Sequence, residues 1–552
     1  MAIRVTLPTI YMQSTKEIAI DYHKRGMINE AELLYSRLLS KSADPQLSYL
    51  LATIYYQKER YNWAEEQLKN SLPERGAPAY CCLGHVYMKL NQATKACYGY
   101  TEASKITPTY LEAWVGLATA LIKSRNADKA FKVIETLRKL ETNKHKINLL
   151  LGETYELIEN YDAATKHYLL AHEANPADTN SQFYLGRVYY KRGKWDWAEE
   201  SLIRAIQANP KHAEANLTLG QVYLSRNNHP KAEEFFRNAF SFDPNHIDTL
   251  LTLGKFFEMQ NRPLEATCIY ENAKQIQPNN PEILQRLGHA LLNQRHEGPA
   301  EELFERVLKI EPDSIDTHTD LCQIRCPGTH YYEMLTYLHD WLKPATYFEI
   351  GIRSGRSLSF AKPPTLSVGV DCEPFVVYTF HAKTRIFPVT SDDFFKNYNL
   401  RECLDGKLVD MAFIDGSHLF PQVLRAFINT EKHSHQNTVI LFHDTIPLND
   451  MVSDPEQKTS FWTGDAWKII PCLTKYRPDL KLATSASFPT GLGIVTKLDT
   501  NSTILEQKFD QIVEEHSDAK FSDIENPFAA LNIIPNEFSH FKEFINSSRN
   551  QA

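Results

Sequence analysis

The sequence predicts a multidomain protein, in which an all-α superhelix of repeated helix pairs precedes an α/β domain with a mostly parallel sheet. At 552 residues the chain is too long for one hydrophobic core. A strict 34-residue period in the first half is typical of stacked repeats. Helical and strand-like patterns alternate after residue 329, which favours a parallel sheet. We expect a repeat domain at 1–326, an α/β domain at 329–500 and a helical extension at 501–552.

The composition, with 43% hydrophobic and 23% charged residues, is that of a globular protein. A net charge of −8 argues against broad nucleic-acid binding. Nine cysteines, an odd number, suggest free thiols in a reducing compartment. No run approaches the ~18 apolar residues of a membrane span, and the N-terminus lacks a signal-peptide pattern. We therefore expect a cytoplasmic protein without a membrane span.

The first half repeats one pattern in seven successive units. A leucine opens each pattern, at Leu83, Leu117, Leu151, Leu185, Leu219, Leu253 and Leu287. A small residue follows it, at Gly84, Ala118, Gly152, Gly186, Gly220, Gly254 and Gly288. An alanine stands twelve residues later, at Ala96, Ala130, Ala164, Ala198, Ala232, Ala266 and Ala300. The small residues predict positions where two helices approach closely, and a bulky residue four positions after each alanine would fill the space between them.

This pattern resembles the tetratricopeptide repeat. With two weaker units upstream, the resemblance implies about nine repeats and a last helix, from about Ser314 to Arg325, that closes the stack. Such arrays commonly bind a protein or peptide partner, and we expect one here. A dimerisation or spacer arm is the alternative.

Cysteine pairs in the helical half are weak metal candidates. Cys81–Cys82 and Cys322–Cys326 are interpreted more simply as small apolar residues of helices, because no second pair stands at zinc spacing.

The stretch 346–357, TYFEIGIRSGRS, predicts a buried strand, a glycine turn and the start of a helix. That order places backbone N–H groups at the carboxyl end of a strand, where open α/β sheets bind nucleotide-like ligands. Gly351 and Gly355 would let a ligand approach the backbone. A second strand ends at Asp371, where a carboxylate can grip a ribose diol.

Further strands end in polar residues. The third is expected around 384–389, before Ser391 and Asp392, and the fourth runs into Asp415 and His418. The fifth ends at His443 and Asp444, and a late edge strand is expected at 490–495. Because parallel strands present their carboxyl ends at one edge, Asp415, His418 and Asp444 are expected to share a cleft.

Taken together, Glu-Ile-Gly-x3-Gly-x-Ser, the second-strand acid, Phe-Ile-Asp-Gly-Ser-His and Phe-His-Asp resemble the class I S-adenosylmethionine-dependent methyltransferases. The resemblance covers 329–497 and is closest to the branch with sugar O-methyltransferases and cephalosporin-hydroxylase-like proteins. The segment 462–468, WTGDAWK, also resembles this branch. The resemblance implies S-adenosyl-L-methionine as cofactor, a sugar or glycan acceptor and an optional divalent metal, Mg2+ or Mn2+.

By that resemblance His418 is the general base. The cofactor-binding residues would be Glu349, Gly351, Gly355, Ser357, Asp371, Ser391, Asp392 and Asp415, and the metal ligands Asp415, Asp444 and His443. The metal-binding relatives usually carry two acids, or an acid and an amide, where this chain has His443 and Asp444. Histidine suits Mn2+ or Fe2+ better than Mg2+, so either the metal differs, His443 does not ligate, or no metal binds. Each acid could instead be a helix N-cap or a turn residue, above all Asp444, which Thr445 follows, and Glu349 could bond to backbone groups.

Other functions explain the sequence less well. One alternative is a repeat adaptor whose methyltransferase-like domain is inactive. A glycosyltransferase needs more chain than follows the array, and a nicotinamide dehydrogenase would need the Gly-x-Gly-x2-Gly spacing. The extension could pack on the sheet or support a homo-oligomer.

Overall fold

The computed structural model describes residues 7–140 and 143–549. Residues 1–6 and 550–552, the outer ends of the predicted repeat domain and extension, lie outside the described residues. The chain divides into two compact units between Leu253 and Gly254. Within the described ranges, none of the helices has the length and apolar character that a membrane crossing requires.

In the described residues of the first part of the chain, all regular secondary structure is helical. Its helices are α1 (Leu7–Lys24), α2 (Ile28–Leu39), α3 (Pro45–Gln57), α4 (Tyr61–Lys89), α5 (Ala93–Ile106), α6 (Leu111–Lys123), α7 (Ala127–Leu140), α8 (Lys144–Leu157), α9 (Tyr161–Ala174), α10 (Thr179–Lys191), α11 (Trp195–Ala208), α12 (Ala213–Ser225), α13 (His229–Phe242), α14 (Ile247–Met259), α15 (Pro263–Ile276), α16 (Pro281–Leu292), α17 (Glu297–Ile310) and α18 (Ile315–Arg325). Gly76, with φ +54°, breaks α4 into two helical stretches. The described helices therefore form nine successive pairs, followed by α18.

The small residue after the repeat leucine has the predicted packing role. A Cβ added at Gly152 would lie 2.3 Å from the ring of Tyr168, and one at Gly254 would lie 2.3 Å from the ring of Tyr270. Because real Cβ atoms never approach so closely, only glycine lets these helices pack at the observed distance.

The second part is an α/β domain. Its strands are β1 (Thr346–Ile350), β2 (Leu366–Val370), β3 (Lys383–Phe387), β4 (Val409–Ile414), β5 (Ser434–His443), β6 (Lys481–Ser485), β7 (Leu492–Thr496) and β8 (Ile533–Ile534). Its helices are α19 (Tyr331–Leu342), α20 (Ser391–Asn397), α21 (Leu400–Cys403), α22 (Phe420–Lys432), α23 (Ile469–Tyr476), α24 (Ile504–Gln507), α25 (Phe509–His516), α26 (Pro527–Ala530) and α27 (Phe538–Arg549).

The strands form one mostly parallel sheet in the order β3-β2-β1-β4-β5-β7-β6-β8. Strands β1 to β5 pair in parallel, and β7 is antiparallel to both β5 and β6. The chain moves outward from β1 to β2 and β3, then returns to place β4 on the other side of β1. Such a reversal of strand order opens a crevice at the carboxyl ends of the two central strands.

Three local predictions differ from the structure. The late strand at 490–495 is β7, which lies inside the sheet because β6 and β8 extend beyond it. The extension is not only helical, since β8 pairs with β6. The segment after Ser357 forms a three-residue 3-10 helix, Leu358–Phe360, and not a regular α-helix. The last difference removes the predicted helix N-terminus from the crevice.

Two hydrophobic layers cover the sheet. One contains α22 and α23 side chains such as Phe427 and Ile470, and the other contains α19 and α27 side chains such as Leu338 and Phe541. A third apolar cluster joins α17 and α18 to the segment after β5, through residues that include Cys322, Leu448 and Val452. The end of the repeat array therefore packs directly on the α/β domain.

One acid is buried inside this core. Glu349 on β1 has no exposed surface, and its carboxyl group accepts hydrogen bonds from the hydroxyls of Tyr347 (2.8 Å) and Ser357 (2.5 Å). Burial raises the pKa of Glu349 to about 8, although the two hydroxyls oppose the rise. The side chain is therefore protonated in the folded protein near neutral pH.

We predict that Glu349 makes the folded protein less stable as pH rises from about 5 to about 8. Over this range the folded state keeps a proton that the unfolded state has lost, so the free energy of unfolding falls by up to about 1.4 kcal/mol per pH unit. Glu349→Gln, which mimics the neutral acid, should remove that slope in urea unfolding of the α/β domain. The exposed control Glu333→Gln should keep it; parallel curves for wild type and Glu349→Gln would contradict the assignment.

Candidate active site

A cavity of about 640 Å³ opens at the carboxyl ends of β1 and β4. Nine of the residues predicted for the site line it: Gly351, Ser357, Asp371, Ser391, Asp392, Asp415, His418, His443 and Asp444. Glu349 and Gly355 do not. Glu349 lies beneath the cavity and contacts it through Ser357, so the structure favours neither direct ligand contact nor the backbone bonding considered for it.

The two glycines of the turn are required for contacts within the protein. Gly351 has φ +87°, and a Cβ there would lie 1.9 Å from the carbonyl oxygen of Asp415. Gly355 has φ +80°, and its Cβ would lie 2.9 Å from the ring of Phe380. These contacts within the protein already disfavour a side chain at both positions, and the close approach of a ligand expected from the sequence stays a prediction. Glycine at position 351 therefore allows the turn after β1 to pack against the end of β4.

Asp371 holds the same turn from the other side. Its Oδ2 accepts the backbone N–H of Arg353 at 2.7 Å, and its Oδ1 accepts the backbone N–H of Glu373 at 2.9 Å. Each carboxylate oxygen can accept a second bond. Asp371 can thus order the turn and still offer acceptors to a ligand in the cavity.

Ser391 and Asp392 begin α20 on the cavity wall. The side chain of Thr390 caps this helix by accepting the backbone N–H of Asp393 at 3.1 Å. Asp392 forms an ion pair with Arg425 on α22. Ser391 therefore offers a hydroxyl to the cavity, whereas the carboxylate of Asp392 is already partly neutralised.

Two acids and two histidines meet where β4 and β5 end. The Nδ1 of His418 lies 2.6 Å from Oδ2 of Asp444. The Nδ1 of His443 lies 3.2 Å from Asp415 and 3.4 Å from Asp444. The hydroxyl of Thr490 donates to Oδ1 of Asp444 at 2.5 Å. Asp415, His418 and Asp444 thus line one cleft, as expected. In the described part of the chain no helix begins directly after Asp444, so Asp444 does not cap one.

Charge controls the protonation of this cluster. Burial would lower the pKa of both histidines, but the neighbouring carboxylates outweigh it and raise the pKa of His418 and, further, that of His443. Burial would raise the pKa of Asp444, but His443 and His418 lower it strongly. Asp444 and the two histidines therefore stabilise each other's charged forms.

The candidate metal ligands differ from the predicted set by one residue. Donor atoms of Asp415, His418 and Asp444 all lie within 4.8 Å of one another, with His418 in the place expected for His443. Despite the short distance to Asp444, the Nδ1 of His418 does not satisfy hydrogen-bond geometry and is buried without a hydrogen-bond partner among the described atoms. An imidazole nitrogen and two carboxylates that converge in this way suit a divalent cation.

Both central residues of the cluster have a strained backbone. His418 has φ +57° and Asp444 has φ +56°. Left-handed conformations are uncommon for residues with a side chain, and they concentrate at functional sites where surrounding contacts enforce them.

The segment WTGDAWK supplies those contacts, a role that the sequence did not reveal. Trp462 stacks on His418 with ring centroids 5.5 Å apart, and a Cβ at Gly464 would lie 2.2 Å from the carbonyl oxygen of His418. Asp465 accepts the backbone N–H of Phe420 at 2.6 Å, and buried Lys468 pairs with Asp465 at 3.0 Å. The segment therefore fixes both ends of the turn that carries His418.

Aromatic residues missed by the sequence analysis complete the wall. The ring of Tyr331 lies 4.0 Å from that of His443, and the guanidinium of Arg356 lies 4.3 Å from the ring of Tyr332. Phe461 also lines the cavity. All three come from segments without a strand-end motif, and only the fold brings them to the site.

Family comparisons agree with this architecture. A family model described as a methyltransferase domain matches residues 348–445. Models described as tetratricopeptide repeat match residues 184–246 and 281–314. No curated protein matches the chain significantly.

Solved repeat proteins are similar to parts of the chain. A tetratricopeptide repeat protein from Parabacteroides merdae ATCC 43184 is 17% identical, with 45% of this chain and 98% of that chain covered and a TM-score of 0.43. The C-terminal part of a TPR repeat-containing protein from Cytophaga hutchinsonii is 18% identical, with 43% and 98% covered and a TM-score of 0.31. The MamA protein is 21% identical, with 32% and 96% covered and a TM-score of 0.28. At such TM-scores these likenesses add no argument about function.

The methyltransferase match spans β1 to the end of β5 and thus contains the turn of Gly351, Asp371 and the histidine–aspartate cluster. The repeat matches fall on the helix pairs. The chain is a fusion of a tetratricopeptide-repeat array with a methyltransferase domain.

Proposed function

We propose that this protein is an S-adenosylmethionine-dependent O-methyltransferase acting on a sugar or glycan hydroxyl. The observation that carries the proposal is the convergence of Asp371, Asp415 and Asp444 on one cavity. These acids follow β2, β4 and β5, on both sides of the reversal of strand order. Two of them adjoin a histidine, as proton removal from a hydroxyl requires.

The cavity fits the proposed cofactor. Its volume of about 640 Å³ lies within the usual range of small-molecule sites. Asp371 would accept the ribose hydroxyls, Ser391 would face the base, and Ser357 and the turn of Gly351 would adjoin the amino-acid end. S-adenosylmethionine would supply an electrophilic methyl group, so the protein needs mainly to align the acceptor and exclude water.

His418 is the proposed proton acceptor. With Nδ1 beside Asp444, Nε2 is the nitrogen that remains to take a proton from the acceptor hydroxyl. Asp444 would stabilise the imidazolium that forms, as a carboxylate next to a catalytic histidine does. Trp462 and Gly464 hold the imidazole in position.

The same side chains fit a divalent metal. Asp415, His418 and Asp444 would hold it, and the presence of an imidazole favours Mn2+ or Fe2+ over Mg2+. A bound cation would supply stabilisation of the developing alkoxide. In that case His418 is a ligand and not the base.

Aromatic walls support a sugar acceptor. Tyr331, Tyr332, Phe461 and Trp462 line the cavity beside Asp415 and His418. Flat apolar surfaces next to a few polar groups suit a sugar ring, which has apolar faces and polar edges.

The end of the repeat array is proposed to position the acceptor or a partner that carries it. His318 on α18 stacks on Phe461, with centroids 4.9 Å apart and planes 8° from parallel. Asp313 accepts the backbone N–H of Ser460 at 2.9 Å. Ser460 and Phe461 line the cavity. A ligand bound to the terminal repeats would therefore lie next to Asp313 and His318, the residues that hold this part of the cavity wall.

An adaptor with an inactive methyltransferase-like domain is the second candidate. It is favoured by Asp371, whose two oxygens already accept backbone N–H groups and so have a structural role without any ligand.

Cofactor binding separates these candidates. We expect S-adenosylhomocysteine to bind the wild-type protein in calorimetric titration. Asp371→Asn should weaken binding about 10- to 100-fold, because a hydrogen bond to a charged group contributes about 1.5–3 kcal/mol. Glu373→Gln, two residues away and outside the cavity lining, should bind normally. No binding to the wild type, or equal affinity in Asp371→Asn, would contradict the proposed cofactor site.

The role of His418 can be tested by methyl transfer from labelled S-adenosylmethionine to a panel of sugars and glycosides. His418→Ala should lower turnover about 10²- to 10⁴-fold and leave cofactor affinity nearly unchanged, while the exposed control His381→Ala should be fully active. Activity that EDTA abolishes and Mn2+ restores would identify His418 as a ligand; activity insensitive to EDTA would identify it as the base. Full turnover in His418→Ala would exclude both roles.

The link between the array and the cavity predicts a local change in dynamics. His318→Ala removes the stack on Phe461 and should speed amide hydrogen exchange in peptides that cover 449–463. Thr319→Ala, whose hydroxyl donates to Ile315 within α18, should not. Unchanged exchange in His318→Ala would show that the array does not support the cavity wall.

A further inference from the structure

A second group of metal-ligand side chains lies in the repeat array, far along the chain from the cavity residues. It consists of Cys81 and His85 on the second stretch of α4, and Glu112 on α6. Their sulfur, nitrogen and oxygen donor atoms all lie within 4.8 Å of one another.

Helix geometry accounts for this meeting. Cys81 and His85 are four residues apart and therefore lie one turn apart on the same helix face. Glu112 comes from the first helix of the next repeat. The sequence does not reveal this group, because Glu112 stands 27 residues after His85 and only the packing of α6 on α4 brings the two side chains together.

The repeat scaffold does not itself require these residues. One period later the equivalent positions hold Val115, Thr119 and Lys146. The side chains of Val115 and Thr119 do not ligate zinc, and that of Lys146 is positively charged and would repel a metal cation. The combination of Cys81, His85 and Glu112 is therefore not imposed by the packing of the array.

The surroundings orient the three donors. The Nε2 of His85 lies 3.8 Å from Oε1 of Glu112, too far for a hydrogen bond. The hydroxyl of Tyr110 donates to the other oxygen of Glu112 at 3.1 Å, and the ring of His85 packs edge-on against Tyr100 with centroids 5.4 Å apart. Such outer contacts fix ligands in protein metal sites.

The site combines a buried ligand with an open side. Cys81 is 1% exposed, whereas Glu112 is exposed and provides access from solvent. The carboxylate of Glu112 places a negative charge beside the thiol and the imidazole, which suits a cation.

We propose that Cys81, His85 and Glu112 form a binding site for a zinc-type divalent cation. One thiolate, one imidazole and one carboxylate are ligands that Zn2+ and Co2+ accept, and water would complete the tetrahedron. The cation would join α4 to α6 and so tie two successive repeats together.

Co2+ is the probe, because cobalt bound to a thiolate has a charge-transfer absorption that oxygen and nitrogen ligands do not give. The full-length protein, treated first with chelator and reductant, should develop this absorption on titration with Co2+ and lose it when Zn2+ is added. Cys81→Ser should abolish it. Cys268→Ser, which removes an exposed cysteine, and Cys372→Ser, which removes the cysteine of the cavity lining, should both retain it.

Glu112→Gln keeps the test decisive if Cys81→Ser does not fold, because Glu112 is on the surface. Glu112→Gln should weaken Co2+ binding about tenfold or more, because losing even a residue that only orients a metal ligand lowers metal affinity by about that factor. Its circular dichroism spectrum should be unchanged. The proposal would be overturned by a charge-transfer band that is absent from the wild type or persists in Cys81→Ser, or by an unchanged affinity for Co2+ in folded Glu112→Gln.

Discussion

The methyltransferase domain depends on the contact between the turn after β1 and the end of β4. At Gly351 the two backbones are so close that a Cβ would lie 1.9 Å from the carbonyl oxygen of Asp415. The backbone N–H of Asp415 donates to the carbonyl of Ile350 at 2.8 Å, and that of Gly351 donates to Val370 at 2.8 Å. This three-strand junction stands where the strand order reverses, and it sets the distance between Asp371 and the cluster around Asp415.

Around that junction the domain holds groups that would be unfavourable alone. Burial raises the pKa of Glu349 and keeps its carboxyl group neutral below the turn, although the two hydroxyls that donate to it oppose the rise. His418 and Asp444 have left-handed backbones; Trp462 and Gly464 lie against His418, and Thr490 donates a hydrogen bond to Asp444. Strain of about 1–3 kcal/mol per residue is tolerated only where surrounding contacts determine the conformation. The segment that provides these contacts follows Phe461 directly, and Phe461 stacks on His318 of α18.

Much of this arrangement could be predicted from the sequence, and the limits have physical causes. The repeat residues and the first five strands are encoded by local periodicity, and the carboxyl ends of parallel strands meet by topology, so Asp371, Asp415, His418 and Asp444 were expected together. Pairing between distant segments is not local, so β6, β8 and the inner position of β7 were missed. The exchange of His418 for His443 among the candidate metal ligands follows from the positions of side-chain atoms around Asp444, which the sequence does not display. The position of Glu112 beside Cys81 could not be predicted either, because Glu112 belongs to the next repeat and reaches Cys81 only through the packing of the helices.

The most direct test of the account is a crystal structure of the full chain grown with S-adenosylhomocysteine. The account predicts ligand density in the cavity, with the ribose hydroxyls at the carboxylate of Asp371 and the sulfur on the side of His418. An empty cavity at saturating ligand, or a ligand held elsewhere on the chain, would contradict it.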